Sequence, residues 1–266
     1  MRSVWLMYHD VYRTAPVEGI PRSASLYHVS ADAFASHLGA IERSGLRVVS
    51  ARECLSGPGD ADDSAVLTFD DGWQGTFDVA MPLLAARGWQ ATVFVTRDFL
   101  GRKGFASAAA LRDAAAAGME IGVHGVTHRM LSACSHAEVV AEFRGCKDYL
   151  EGLLGQAVDH ASVPGGDATR AVVAGAREAG MRSLATSQPG VNGAGTSPHH
   201  LRRVAIKEST TVADVDRYGR LDAGRERARY ALLRMPQTIL GMKRYSKLRR
   251  VLMRTPGGHE VKVFEP

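Results

Sequence analysis

Two pairs of side chains in this sequence have the types and spacing needed for metal-assisted hydrolysis: Asp70 with Asp71, and His124 with His128. Each pair begins where an apolar run ends. Ala65 to Phe69 leads into Asp70-Asp71-Gly72, and Met119 to Val123 leads into His124. Folds of alternating strands and helices place their active sites at the carboxyl ends of strands. Adjacent carboxylates repel unless a cation neutralises one, so the pair divides naturally into an ion ligand and a free general base. Two histidines four apart share one face of a helical turn, where both imidazoles reach a single ion. Either pair alone has a plainer reading, since Asp-Asp-Gly is a good turn and the histidine spacing arises by chance. Together they offer two nitrogens and one carboxylate oxygen at a common mouth, the donor set of a catalytic metal with open positions. Such an ion acidifies water and polarises a carbonyl, which suits amide or ester hydrolysis.

The elements that must position these groups alternate along the chain. Strands are expected at Val4 to Tyr8, Leu46 to Val49, Ala65 to Phe69, Ala91 to Val95, Met119 to Val123, His160 to Val163, Arg182 to Thr186 and Leu201 to Ile206. A long polar loop is expected after Tyr8, through Pro21. Helices are expected at Ala31 to Arg43, around Leu84, and at Ala108 to Ala117, Ala137 to Leu154 and Thr169 to Ala179, several closed by glycine. This α/β alternation calls for a parallel sheet with crossover helices. Periodicity alone leaves a closed barrel and an open doubly wound sheet equally available.

Thr68-Phe69-Asp70-Asp71-Gly72, His124-Gly125-Val126-Thr127-His128 and Pro164-Gly165-Gly166, in that order and separation, resemble the first three motifs of the polysaccharide deacetylases, the NodB-homology or carbohydrate esterase four family. The resemblance covers roughly residues 1 to 206. It implies an irregular (β/α) barrel of about seven parallel strands. It also implies that Asp71, His124 and His128 hold one divalent metal ion, with zinc expected, and that Asp70 deprotonates the attacking water. Two departures stand out. Ser162 occupies the place of an arginine that orients the base, and Leu201-Arg202-Arg203 stands near the place of a late Leu-x-His whose histidine protonates the leaving amine. His199 and His200 are nearby candidates for that acid. The better one is His9, because Tyr8-His9-Asp10 after the first strand resembles the permuted branch that deacetylates poly-N-acetylglucosamine. Asp10 either pairs with the His9 imidazole and raises its pKa or is a plain loop carboxylate.

Further substrate contacts are expected from Pro164 and Gly165, from Ser187 in the Thr186-to-Asn192 turn, and from Trp73, which either stacks on a sugar ring or belongs to the core. The implied activity is N-deacetylation of an N-acylated sugar in surface glycan biosynthesis, with a polyprenyl-linked carrier as one form of the substrate. Deformylation of a lipid-linked amino sugar, O-deacetylation and a catalytically inactive sugar-binding protein are the alternatives.

Composition bounds the rest. The 266 residues carry a formal charge of +5, but residues 225–254 hold ten Arg or Lys against Glu226 alone. The body is therefore mildly acidic and the excess belongs to a tail. The expected division is a barrel over 1–222 and a basic helical extension over 223–266. In the extension, Pro236 separates Glu226 to Arg234 from Thr238 to Arg254. The second stretch sets Tyr245, Leu248 and Leu252 on one face and Lys243, Lys247, Arg250 and Arg254 on another, a pattern suited to an anionic membrane surface or to a helix packed on the barrel with its charged face solvated. No nucleic-acid module accompanies the charge, and no glycine pattern fits a nucleotide loop. Cys54, Cys134 and Cys146 are odd in number and lack CxxC spacing. They fit a reducing compartment, and the cytoplasm is the expected location, with peripheral attachment to the membrane's inner face.

Overall fold

The computed structural model describes residues 1–56 and 62–233. In chain order, the first half comprises β1 (Ser3–Tyr8), β2 (Asp10–Tyr12), α1 (Arg22–Ser25), β3 (His28–Ser30), α2 (Ala31–Ser44), β4 (Arg47–Val49), α3 (Ala51–Leu55) and β5 (Ser64–Asp71). A π-helical turn at Thr76–Ala80 then leads into α4 (Met81–Ala85), β6 (Thr92–Val95), α5 (Ala108–Ala116), β7 (Glu120–Val123) and α6 (His136–Leu154). The remaining elements are β8 (His160–Ser162), α7 (Arg170–Glu178), β9 (Ser183–Ala185), β10 (Val191–Asn192), β11 (Val204–Ala205) and α8 (Val212–Gly219).

Local chemistry sets the helix ends. Ser30, Ser107, Ser135 and Thr169 each accept a backbone N–H at the start of α2, α5, α6 and α7. At Ser135 the Glu138 side chain completes a capping box. Gly45 and Gly155 take the left-handed conformation that closes α2 and α6.

One nine-stranded sheet runs in the order β10-β1-β5-β6-β7-β8-β9, with β4 also on β5 and β11 also on β1. Every pairing in it is parallel except β10 on β1. Leu201 bridges Ala185 at the end of β9, and β11 then sets Val204 and Ala205 beside Leu6 and Met7 of β1. The segment 201–205 thus joins the last parallel strand to the first, and the sheet curls into an irregular barrel. That settles the choice periodicity left open. Strands β1 and β5 are buried along their whole lengths, as strands covered on both faces must be. Tyr8 meets Phe34 edge-on at 5.1 Å and stacks on Phe69 at 5.4 Å, tying α2 to β1 and β5. Aromatic pairs of this kind contribute about 0.5–1.5 kcal/mol beyond their burial.

The structure corrects several expectations. The loop after Tyr8 is not wholly irregular, since Asp10–Tyr12 pairs with His28–Ser30 as a separate two-stranded sheet. Strand β5 does not stop before the acidic pair; it runs through both aspartates. Short α3 and α8 carried too few apolar positions for periodicity to register them.

The chain divides into two compact units, Met1–Ala223 and Gly224–Pro266. In the second unit residues 224–233 are helical. The expected basic amphipathic stretch from Thr238 to Arg254 lies outside the described residues. Among the described residues no helix is long and apolar enough to cross a membrane.

Candidate metal centre

Parallel register brings the acidic pair and the first histidine together. Asp71 lies beside Val95 of β6, and Val95 lies beside Val123 of β7. His124 follows directly, its N–H bonded to the Val95 carbonyl at 2.8 Å. Neighbouring residues on a strand normally point to opposite faces, which would separate Asp70 from Asp71. Asp71 escapes that rule with φ of 76°, a left-handed conformation in which Gly72 follows it. As a result both carboxylates approach His124: Nε2 lies 3.4 Å from Asp71 Oδ1 and 3.9 Å from Asp70 Oδ2.

His128 reaches the same point, with Nε2 3.2 Å from Asp71 Oδ1. It does not do so from a helical turn. Residues 124–130 are irregular, Gly125 has φ of 85°, and His128 itself has φ of 62°. The four-residue spacing works here through two left-handed residues in a tight loop. A β-carbon on Gly125 would press on Glu142 Oε2 at 3.1 Å. Two of the three converging side chains thus sit on strained backbone, a feature concentrated at functional sites.

One donor atom from each of Asp71, His124 and His128 falls within 4.8 Å of the other two. Their environment fits a divalent cation. Asp71 Oδ2 accepts the Trp73 indole N–H at 3.0 Å, while Oδ1 is buried without a well-directed hydrogen bond. The Nδ1 of His124 lies 2.5 Å from Ser162 Oγ and 3.2 Å from the Ser162 carbonyl. Nδ1–H donation there leaves the Nε2 lone pair facing Asp71, as an orienting outer contact does for a metal-bound histidine. Burial pushes His124 down to about 4, more than Asp70 and Asp71 push it up, so the ring is neutral as a ligand must be. Burial raises the Asp71 carboxyl, but the charge and hydrogen bond of His128 overcome this and hold it well below the usual range. For His128 the balance is reversed: burial lowers it, and Asp71, with Asp70 and Glu142, raises it above its ordinary value.

Asp70 stands outside this triad and has its own clasp. Arg203, wholly buried, donates NH1 to Oδ1 and NH2 to Oδ2, both at 2.7 Å. The guanidinium is fixed by Nε donating to the Thr186 carbonyl at 2.9 Å, by Thr68 Oγ1, and by the Phe94 ring beneath it. Ser162 adds a hydroxyl to Asp70 Oδ1 at 3.3 Å. Burial raises the Asp70 carboxyl, but Arg203 and then His124 outweigh it, so Asp70 is held ionised below its ordinary value. The arginine missing beside Pro164 is therefore supplied by Arg203, which stands where the resemblance placed a late histidine. Replacing Arg203 with Met should lower stability by about 3–5 kcal/mol near neutral pH, because it strands a buried carboxylate. Without the guanidinium, burial leaves the Asp70 carboxyl raised. The deficit should therefore shrink as pH falls and Asp70 takes a proton. Urea unfolding at neutral and mildly acid pH measures both, and a pH-independent deficit would contradict the pairing.

The other candidates fall as follows. The ring of His9 packs against Tyr27 at 4.7 Å, and its buried Nδ1 has no hydrogen-bond partner among the described residues. Burial lowers its pKa; Asp71 and then Asp70 oppose this without reversing it, so both lie within electrostatic reach. Asp10 does not pair with His9. It turns to His28, 3.4 Å from Nδ1, and burial pushes its carboxyl up to about 6. The pairing that would raise the His9 pKa is thus overturned. Trp73 is buried rather than open to a sugar: it stacks on Phe105 at 4.1 Å, meets His28 edge-on, and holds Asp71. Pro164 is buried with its ring against the space beside Gly125, while Gly165 is exposed at φ of 70°. Ser187 is half-buried against Gly166 and donates to Met7 Sδ at 3.6 Å. His199 and His200 lie at the other end of the barrel, with His199 bonded to the carbonyl of Met181 just before β9 and His200 lining a cavity beside Arg2. Neither reaches the metal triad. Cys54, Cys134 and Cys146 are unpaired, and burial pushes Cys146 up to about 12.

Residues 58–184 match the polysaccharide deacetylase family model. No curated protein matches the sequence. Among solved structures, the deacetylase PplD of Streptococcus pyogenes in complex with acetate superposes with a TM-score of 0.72 at 24% identity, over 81% of this chain and 96% of that one. A de-N-acetylase from Aggregatibacter actinomycetemcomitans gives 0.70 at 19% identity, over 82% and 100%. IcaB from Ammonifex degensii gives 0.69 at 23%, over 82% and 96%. At these identities the likeness establishes a shared fold.

Proposed function

On the premise that this chain carries a polysaccharide deacetylase domain, we propose that it is a metal-dependent hydrolase that removes the N-acetyl group from an N-acetylated sugar. One observation carries the reading: Asp71, His124 and His128 converge beside a second, unligated carboxylate that Arg203 holds ionised. Two imidazoles and a carboxylate are a catalytic zinc set, and zinc is the proposed ion. Bound there, it would supply Lewis-acid polarisation of the acyl oxygen and a more acidic water. The chain's own residues do the rest. Asp70, kept anionic by Arg203, accepts the proton of the attacking water, and Ser162 and Arg203 fix its carboxylate plane. His9 is placed to give a proton to the departing nitrogen, a role that requires the imidazolium form that Asp71 and Asp70 favour against burial, and Tyr27 holds its ring in place.

The intact triad and the Asp70–Arg203 clasp favour this over an inactive sugar-binding protein. The basic run of residues 225–254 favours a substrate on an anionic lipid carrier, and three unpaired cysteines favour a cytoplasmic setting.

The test uses three substrates. N-acetylglucosamine oligomers should lose the mass of one acetyl group per turnover, and release of acetate alone from formyl and acetyl substrates offered together excludes a deformylase. His9→Gln should lower that rate by about 10²-fold, the usual size of a general-acid contribution. On an aryl acetate, whose phenolate leaves unprotonated, the same substitution should have little effect. Equal losses on both substrates would remove His9 from the acid role.

A further inference from the structure

We infer that Glu142, on α6, is the positioning residue that sets the geometry of the two histidines. The inference rests on the metal reading above and concerns a residue that never touches the ion. The Glu142 side chain is buried and crosses from the helix to the loop between His124 and His128. Its Oε2 accepts the backbone N–H of Val126 at 2.8 Å and of Thr127 at 2.9 Å, and its Oε1 accepts the Thr127 hydroxyl at 2.6 Å. One carboxylate thus satisfies both central N–H groups of a loop that has no regular secondary structure to do so.

The loop needs that anchor because of what it must deliver. Gly125 and His128 both take left-handed backbone, and for a non-glycine residue that conformation costs about 1–2 kcal/mol. Left to itself, the chain after His124 would relax to extended backbone and carry the His128 ring away from Asp71. Pinning Val126 and Thr127 between the two left-handed residues holds the turn closed. Gly125 lets the carboxylate approach, since a β-carbon there would lie 3.1 Å from Oε2. Because α6 carries the residue, the long helix fixes the loop rather than merely covering the sheet.

Zinc binding alone tests the inference. Full-length wild type, Glu142→Ala, Glu142→Gln and Leu150→Ala are titrated with zinc against a chromophoric chelator, and each apo form is melted in parallel. Glu142→Ala strands both N–H groups and should weaken zinc by about 10–100-fold, the range for orienting contacts around a site. Glu142→Gln keeps an acceptor for the backbone and should fall between Ala and wild type. Leu150→Ala removes a buried side chain from the same helix away from the loop, so it should lower the melting temperature and leave zinc affinity intact. If Glu142→Ala binds zinc as tightly as wild type, or if Leu150→Ala weakens zinc equally, the positioning role is overturned while the metal reading stands. If wild type binds no zinc, the metal reading fails, and this inference with it.

Discussion

His128→Gly will abolish hydrolysis and yet leave the metal-free protein at least as stable as wild type, in mildly alkaline buffer. The first half follows from coordination. Lewis-acid assistance supplies several kcal/mol of barrier lowering, and about 4 kcal/mol corresponds to roughly 10³-fold in rate. Removing one of three ligands should forfeit that much, as should exhaustive chelation of wild type. The second half follows from backbone. His128 sits at φ of 62°, where glycine is unstrained, so the substitution relieves about 1 kcal/mol or more. An ion pair with Asp71 works in the opposite direction. Because Asp71 raises the His128 pKa above its unfolded value, that pair stabilises the fold fully below the unfolded pKa. Its contribution disappears as pH rises through the folded value, and above that range the strain is set only against the ring contacts with Phe99 and His124. Denaturant melts with chelator present, together with rate assays, should show activity and stability moving in opposite directions. A glycine variant that is both inactive and markedly less stable in alkaline buffer would contradict the account, and so would one that retains activity.

Much of this arrangement was legible in the residues, and the illegible parts share a cause. Apolar runs closed by Gly45, Gly88, Gly118 and Gly180 marked the strand–helix alternation, because parallel strands are buried on both faces and left-handed caps admit little else. Asp70, Asp71, His124 and His128 stood out because residue type, spacing and strand ends all converged. The local conformations were another matter. A helical turn was the simple explanation for His-x-x-x-His, and the chain uses a strained loop instead. A turn was the simple explanation for Asp-Asp-Gly, and the strand continues through it. Arg203 carried the weakest signal of all. Its neighbour Arg202 is chemically identical, and only the register of residues 201–205 between β9 and β1 decides which guanidinium points inward. His28 and Glu142 were silent for the same reason: a buried polar residue announces itself through the partners that tertiary structure brings. Trp73 was open between a sugar platform and a core residue, and only the tertiary structure shows its N–H turned to a carboxylate.

Asp70→Asn separates the base from the metal site and should leave zinc affinity close to wild type while lowering kcat by about 10²–10⁴-fold, the span of a general base. The amide keeps the shape but has no anion to accept a proton, and Asp71, His124 and His128 keep their own contacts. Stability should drop as well, by about 3 kcal/mol or more, because Arg203 is wholly buried and loses the charge it was paired with. The pH dependence gives an independent reading. Since Arg203 and His124 hold Asp70 below its ordinary value against the opposing effect of burial, the base loses its charge only at a lower pH than an ordinary aspartate does. If Asp70 sets the acid limb of wild-type kcat/KM, that limb should therefore lie below the ordinary carboxylate range. Arg203→Met moves the limb in a defined direction: burial then dominates, the Asp70 pKa rises, and activity begins to fall at higher pH than in wild type. In Asp70→Asn that dependence on Arg203 should vanish, so the residual activity of Asp70→Asn and of the double variant should follow the same profile. A kcat within tenfold of wild type for Asp70→Asn, with zinc bound, would mean that the proton goes elsewhere and that the clasp on Asp70 serves the fold alone.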